Sequence, residues 1–165
     1  KAGELLCHTY CHLYGMNVAA LRFFTVYGPR QRPEMAIHKF TRRILDGKEI
    51  DLYGDGSSRR DYTYIEDIVS GVLGALTAPP GYRVYNLGES ATISLSELVA
   101  LIEKACGKAA VRRFKPSQPG DVPVTYADIS RARKEIGYDP RTPIGRGVAL
   151  FVDWYRKQAA AEAGP

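Results

Sequence analysis

Apolar positions along residues 1–14 recur at helical spacing, as Leu5, Leu6, Tyr10, Leu13 and Tyr14, and Gly15 offers a left-handed stop. Residues 18–24 are a continuous, mostly apolar run, short enough for a strand buried on both faces. A loop punctuated by Gly28, Pro29 and Pro33 follows. Residues 35–46 are periodic again and close at Gly47; residues 49–53 alternate as a short strand before a turn at 54–58. Residues 60–64 read as another strand. A helix from Glu66 or Asp67 to about Ala78 stops before Pro79-Pro80. Residues 84–88 read as a strand ending in a turn. Ser94, with Glu97 three residues on, opens a capped helix to about Gly107. Residues 111–114 suggest a strand, 118–123 a rigid loop, and 130–137 a short helix. The last helix, 144–160, carries Val148, Phe151, Val152 and Tyr155 on one face, and its alanine-rich tail is expected to fray. Helix, glycine turn and buried strand in succession imply an α/β fold.

The 165 residues suffice for one domain with a real core. No apolar run nears the roughly 20 residues that cross a bilayer, and no signal-peptide pattern opens the chain. Three cysteines make no disulfide framework, so a reducing cytoplasm is expected. The net charge of +5 suits an anionic ligand. The basic residues are scattered rather than gathered on one dense face, which argues against nucleic acid.

Cys7-His8 and Cys11-His12 repeat at four-residue spacing, but on a helix the cysteines lie about 100° from the histidines. No third ligand accompanies them, so packing and surface are favoured over a metal, and no metal is expected. No nucleophile elbow, P-loop or CxxC pair is present, nor the glycine-rich loop that cradles a dinucleotide. What stands out is arginine beside glycine and proline turns: Arg30 and Arg32 in one loop, Arg59 and Arg60 in another. Guanidinium forks match phosphate oxygens bidentately. Neighbours in a strand face opposite ways, so only one of Arg59 and Arg60 can enter a cleft, and Arg59 is expected to face solvent.

Residues 21–29, LRFFTVYGP, resemble the strand-and-loop signature of extended short-chain dehydrogenase/reductases of the NAD-dependent epimerase/dehydratase family. So do residues 60–68, RDYTYIEDI, and then Tyr85-Asn86-Leu87-Gly88, Pro119-Gly120-Asp121 and Tyr126-Ala127-Asp128, in order. Residues 22–36 and 118–123 look most like the UDP-glucuronate 4-epimerases of that family. The resemblance implies a C-terminal substrate-binding domain, about 29–61 and 89–165, joined to the last elements of a Rossmann-like parallel sheet, 1–28 and about 62–88. It also implies that the N-terminal NAD-binding half lies outside these residues. Family members carry a catalytic Tyr-x-x-x-Lys pair followed by one residue and Ala-Gly-Glu; Lys1 before Ala2-Gly3-Glu4 matches that one residue. The pair itself then falls outside residues 1–165, and these residues alone are expected to be inactive.

The function the resemblance implies is binding of a UDP-sugar, a UDP-hexuronate or UDP-hexose, within an NAD-dependent 4-epimerase. Such an enzyme oxidises the sugar at C4, turns the 4-keto intermediate over and re-reduces it. A dehydratase or decarboxylase of the same family, or a non-catalytic nucleotide-sugar-binding domain, are the alternatives. By resemblance Thr25 approaches the sugar, and Arg32 and Arg60 meet the pyrophosphate or ribose. Leu52 and Tyr53 flank the uracil, with backbone groups reading its edge, and Asp121 accepts from a ribose hydroxyl. Phe23 lies near the nicotinamide, although its strand position favours core packing. Gln118 stands where many UDP-glucose 4-epimerases carry arginine. Related enzymes pair through the helix bearing Tyr-x-x-x-Lys, so a homodimer through the first helix is expected.

Overall fold

The computed structural model describes residues 1–163. Helix α1 (Ala2–Tyr14) ends at Gly15 with φ 64°, as its apolar spacing and glycine stop require. Strands β1 (Val18–Phe23) and β2 (Thr25–Tyr27) are one extended run that changes partner at Phe24. β1 pairs in parallel with residues 82–87, from Val18 opposite Tyr82 to Phe23 opposite Leu87. β2 pairs in parallel with residues 62–64, Thr25 opposite Tyr62. The changeover is hydrogen-bonded: Phe24 N–H donates to Leu87 O (3.1 Å) and Thr25 N–H to Asp61 O (3.2 Å).

Helix α2 (Ala36–Leu45) leads to β3 (Ile50–Tyr53). The strand read over residues 60–64 is broken at Asp61. β4 (Arg59–Arg60) pairs antiparallel with β7 (Ile93–Ser94), and β5 (Tyr62–Tyr64) takes β2. α3 (Ile65–Ala75) starts within a residue or two of the expected point and ends before it. β6 (Tyr82–Leu87) completes the parallel pair with β1. In α4 (Leu95–Cys106), Ser94 Oγ accepts from Glu97 N–H at 3.2 Å while Glu97 Oε2 accepts from Ser94 N–H at 2.8 Å. The capping box is thus formed in both directions. β8 (Arg112–Lys115) pairs in parallel with β3. α5 (Ser130–Ile136) and α6 (Ile144–Ala163) follow. The alanine-rich tail is helical through Ala163, and residues 164–165 lie outside the described residues.

Two apolar clusters hold these elements. The larger joins Ile37, Phe40 and Ile44 of α2, Leu98, Val99 and Ile102 of α4, and Val148, Phe151 and Val152 of α6. Each such side chain contributes about 1.5–3 kcal/mol on burial. The second joins Tyr85 and Leu87 of β6, Ile68 of α3, and Ala127, Ile129, Ala132 and Tyr138 around α5. Residues 18–24 were expected to be buried on both faces, yet no residue of β1 is fully buried. α1 and α3 cover it only in part, and among the described residues only β6 pairs with it. No helix among the described residues is long and apolar enough to cross a membrane.

Candidate functional site

The break at Asp61 sets the site. Arg59 and Arg60 leave β4 in opposite directions, as pleating demands. Arg60 turns into a cleft of about 250 Å³, lined also by Glu34, Ala36, Lys39, Tyr53 and Asp121. Its Nη2 donates to Asp121 Oδ1, and its Nη1 to Arg59 O at 2.9 Å. The sequence led us to expect Arg59 to face solvent freely, and it does not. Its Nε donates to Thr92 Oγ1 (2.9 Å), its Nη2 to Thr92 O (2.8 Å), and its Nη1 meets Glu97 Oε2 at 3.3 Å. The β4–β7 pairing, with Arg59 opposite Ser94, brings those acceptors alongside.

Alternation along β3 sorts the next two candidates. Asp51 and Tyr53 line the Arg60 cleft. Leu52 points the other way and is 0% exposed in the larger core, so its side chain cannot flank a base; only its backbone is available. Asp51 is paired with Lys115 Nζ at 2.8 Å, which holds its carboxyl below the usual range.

Thr25 and Arg32 lie in a second cleft of about 420 Å³, with Tyr27, Arg30, Gln31 and Ile65. The loop between is pinned from within: Gln31 Nε2 donates to Val26 O (3.0 Å), and its Oε1 accepts from His38 N–H (3.2 Å). Gly28, at φ 138°, has no room for a side chain, because a Cβ there would stand 2.5 Å from Ile65 Cγ2. Arg32 pairs with Glu34 at 3.3 Å, linking the second cleft to the first. Phe23, at the end of β1, is 52% exposed rather than packed in a core. The structure therefore brings Tyr53, Arg60 and Asp121 together, sets Thr25 and Arg32 in the adjoining cleft, and removes Leu52 from the surface.

Three acidic residues at the heart of this region had no assigned role in the sequence. Asp61 is 0% exposed, and its carboxylate accepts from Glu89 N–H (2.7 Å), Ser90 N–H (3.0 Å), Ala127 N–H (3.1 Å) and Thr63 Oγ1 (3.3 Å). Asp67 accepts from Arg141 N–H (3.0 Å) and Thr142 N–H (3.1 Å). Glu89 lines a further cavity with Arg60, Tyr62 and Thr92. Burial pushes its carboxyl up to about 7, and the charges of Asp67 and Asp61 add to the shift. The only sequence signal for the aspartates is their place in RDYTYIEDI; nothing marked Glu89.

On α1, the apolar side chains Leu5, Leu6, Tyr10, Leu13 and Tyr14 are all exposed. Glu4 is tied to Arg22 by two hydrogen bonds of 2.6 Å, and its carboxyl is held at about 2. His8 packs edge-on against the Tyr82 ring, 5.2 Å between centroids. Among the described residues no three His, Cys, Asp or Glu side chains gather where a metal ion could be held.

The NAD dependent epimerase/dehydratase family matches residues 1–88. The UDP-glucuronate 4-epimerase of Thermodesulfobacterium geofontis is 41% identical over 158 residues, covering 95% of this chain and 49% of the relative. UDP-glucuronate 4-epimerase 6 of Arabidopsis thaliana is 45% identical over 172 residues, covering 94% and 37%. The crystal structure of UDP-glucuronic acid 4-epimerase from Bacillus cereus, in complex with UDP-glucuronic acid and NAD, superposes with a TM-score of 0.89 at 37% identity. That match covers 95% of this chain and 51% of the Bacillus protein. The chain thus spans about half the length of the relatives it matches.

Proposed function

The chain belongs to the NAD dependent epimerase/dehydratase family, and from that premise we propose that it forms the UDP-sugar-binding portion of an NAD-dependent 4-epimerase acting on a UDP-hexuronate. The observation that carries this reading is the convergence of Tyr53, Arg60 and Asp121 on one cleft. An aromatic ring, a guanidinium and a carboxylate suit a base, a diphosphate and a ribose hydroxyl respectively. Tyr53 and the backbone of Leu52 flank the uracil, Arg60 meets the diphosphate, and Asp121 accepts from the ribose. Arg32, joined through Glu34 to this cleft, serves the diphosphate from its other side. Thr25 approaches the sugar from the second cleft. The identity to named UDP-glucuronate 4-epimerases favours a hexuronate over a neutral hexose.

NAD, when bound, supplies the hydride acceptor for C4 of the sugar. Phe23 suits its nicotinamide, because its ring is exposed at the C-terminal end of a parallel strand, where open α/β sheets place ligands. The exposed apolar side of α1 is the surface for homodimer formation. Three free thiols fit a reducing cytoplasm.

The test is calorimetric titration of UDP and UDP-glucuronate into the chain. Arg60→Ala should weaken binding about ten- to a hundredfold, the loss of a charge-assisted pair. Arg60→Lys should weaken it comparably, because an ammonium cannot reproduce the planar fork. No binding by the unaltered chain, or no loss at Arg60, refutes the assignment. With added NAD and UDP-glucuronate, residues 1–165 should yield no 4-epimer, since they contain neither the dinucleotide loop nor the Tyr-Lys pair.

A further inference from the structure

The charges that line the Arg60 cleft are not equally available. Glu34, Asp51 and Asp121 are each already paired, with Arg32, Lys115 and Arg60. Arg60 itself gives one donor to Asp121 and another to the backbone of Arg59. Lys39 also lines the cleft, half-buried, and its ammonium has no hydrogen-bond or ion-pair partner among the described residues. With those pairs set aside, Lys39 is the one charged group of the cleft lining without a partner among the described residues.

Its place on the helix sharpens the point. Lys39 is the fourth residue of α2, near the end where the helix dipole is positive. A cation there is unfavourable by a few tenths to about 1 kcal/mol. Nothing within the helix compensates: its first turn holds no acidic residue, and Met35 provides no side-chain cap. Ala36, the first residue of α2, lines the same cleft. First-turn amides have no partner within their own helix. An unpaired ammonium, the first residue of α2 at Ala36 and the Arg60 guanidinium thus line one space that a multiply charged anion would complement, while the His38 amide of the same turn is already taken by Gln31.

We infer that Lys39 is a diphosphate-binding residue of this cleft, receiving the phosphate charge that Arg60, already engaged by Asp121, can only share. The inference rests on the nucleotide-diphosphate reading of the cleft. Lys39 supplies a point charge with three rotatable donors, whereas Arg60 supplies a planar fork. Their roles differ accordingly: Lys39 acts through charge and tolerates exchange for arginine, while Arg60 acts through geometry and does not tolerate lysine.

The experiment titrates UDP by calorimetry, and uridine by chemical-shift changes, into the chain and its Lys39→Ala, Lys39→Gln and Lys39→Arg variants. Far-UV circular dichroism confirms that each is folded. Lys39→Ala and Lys39→Gln should bind UDP about tenfold more weakly and uridine unchanged, with a shallower dependence of UDP affinity on salt. Lys39→Arg should stay within about threefold of the parent chain for UDP, since it keeps the charge. If the unaltered chain binds no UDP, the nucleotide reading itself fails and takes the inference with it. If it binds UDP but the neutral variants bind as tightly, or lose uridine to the same extent as UDP, Lys39 is not a phosphate ligand and the nucleotide reading stands without it.

Discussion

Replacing Asp61 with alanine should strand the backbone amides that its buried carboxylate gathers. The carboxylate is completely buried and accepts three backbone N–H groups, from Glu89, Ser90 and Ala127, besides the Thr63 hydroxyl. The backbone donors come from two separate stretches of chain, at Glu89-Ser90 and at Ala127. A buried donor left without an acceptor costs about 1–3 kcal/mol. Three stranded amides therefore amount to at least about 3 kcal/mol, partly offset because a buried charge no longer has to be desolvated. Set against the 5–15 kcal/mol typical of a folded domain, such a loss is large. Asp61→Asn should lie between, since its amide nitrogen can occupy a carboxylate oxygen's place but cannot accept from an N–H. Urea denaturation followed by circular dichroism measures both, with the slope checked for constancy so that the midpoint reports stability. Asp67→Ala, which strands only two amides, is the internal comparison and should lose less. A midpoint for Asp61→Ala within about 1 kcal/mol of the parent chain would refute the reasoning, because it would mean that water or a rearranged turn satisfies the three amides without the carboxylate.

The carboxyl of Glu89, raised from 4.5 to about 7 by burial and then by Asp67 and Asp61, makes the folded chain hold that proton more tightly than the unfolded chain does. Its stabilisation is complete below about pH 4.5 and is lost as the pH rises through about 7; with discounting for solvent at a half-buried group the change is about 1 kcal/mol, and Glu89→Gln should flatten the curve of melting temperature against pH over that window. Arg59→Ala should lower stability by about 0.5–1.5 kcal/mol through its lost bonds to Thr92 and Glu97, measured by thermal melts, while leaving UDP affinity within about twofold. Equal losses of UDP affinity at Arg59 and Arg60 would show that the register of β4 has been misread.

Features that need only their immediate neighbours in the chain were legible beforehand. Ser94 and Glu97 cap α4 reciprocally because both partners lie within one turn. Gly15, Gly107 and Gly137 end their helices at positive φ for the same local reason. The burial of Leu52 was also within reach. Ile50 and Leu52 alternate with Asp51 and Tyr53, so one face of β3 had to be core and the other cleft. That alternation leaves the Tyr53 side chain to the cleft and, of Leu52, only the backbone. Other features depend on groups brought together by tertiary structure. The pairing of Arg59 with Thr92 rests on β7, a two-residue strand too short to show any periodicity. The role of Asp61 depends on amides 28, 29 and 66 residues further along the chain, and a lone aspartate between arginine and tyrosine gives no sign of them.

These two classes meet at the point where the strands change partners. At Phe24 the run β1–β2 leaves β6 and joins β5; at Asp61 the run β4–β5 leaves β7 and joins β2. The changeovers face each other, since Thr25 N–H donates to Asp61 O. A changeover leaves a gap between sheets that no ladder fills, and residues flanking it can project into open space instead of into a core. Thr25 flanks one changeover and Arg60 the other, and both line clefts. Asp61, at the centre, satisfies with its carboxylate the neighbouring amides that no ladder takes up. The buried aspartate and the cleft arginine beside it are thus two consequences of one break. A substitution at Asp61 should therefore disturb ligand binding and stability together, whereas one at Arg60 or Lys39 should disturb binding alone.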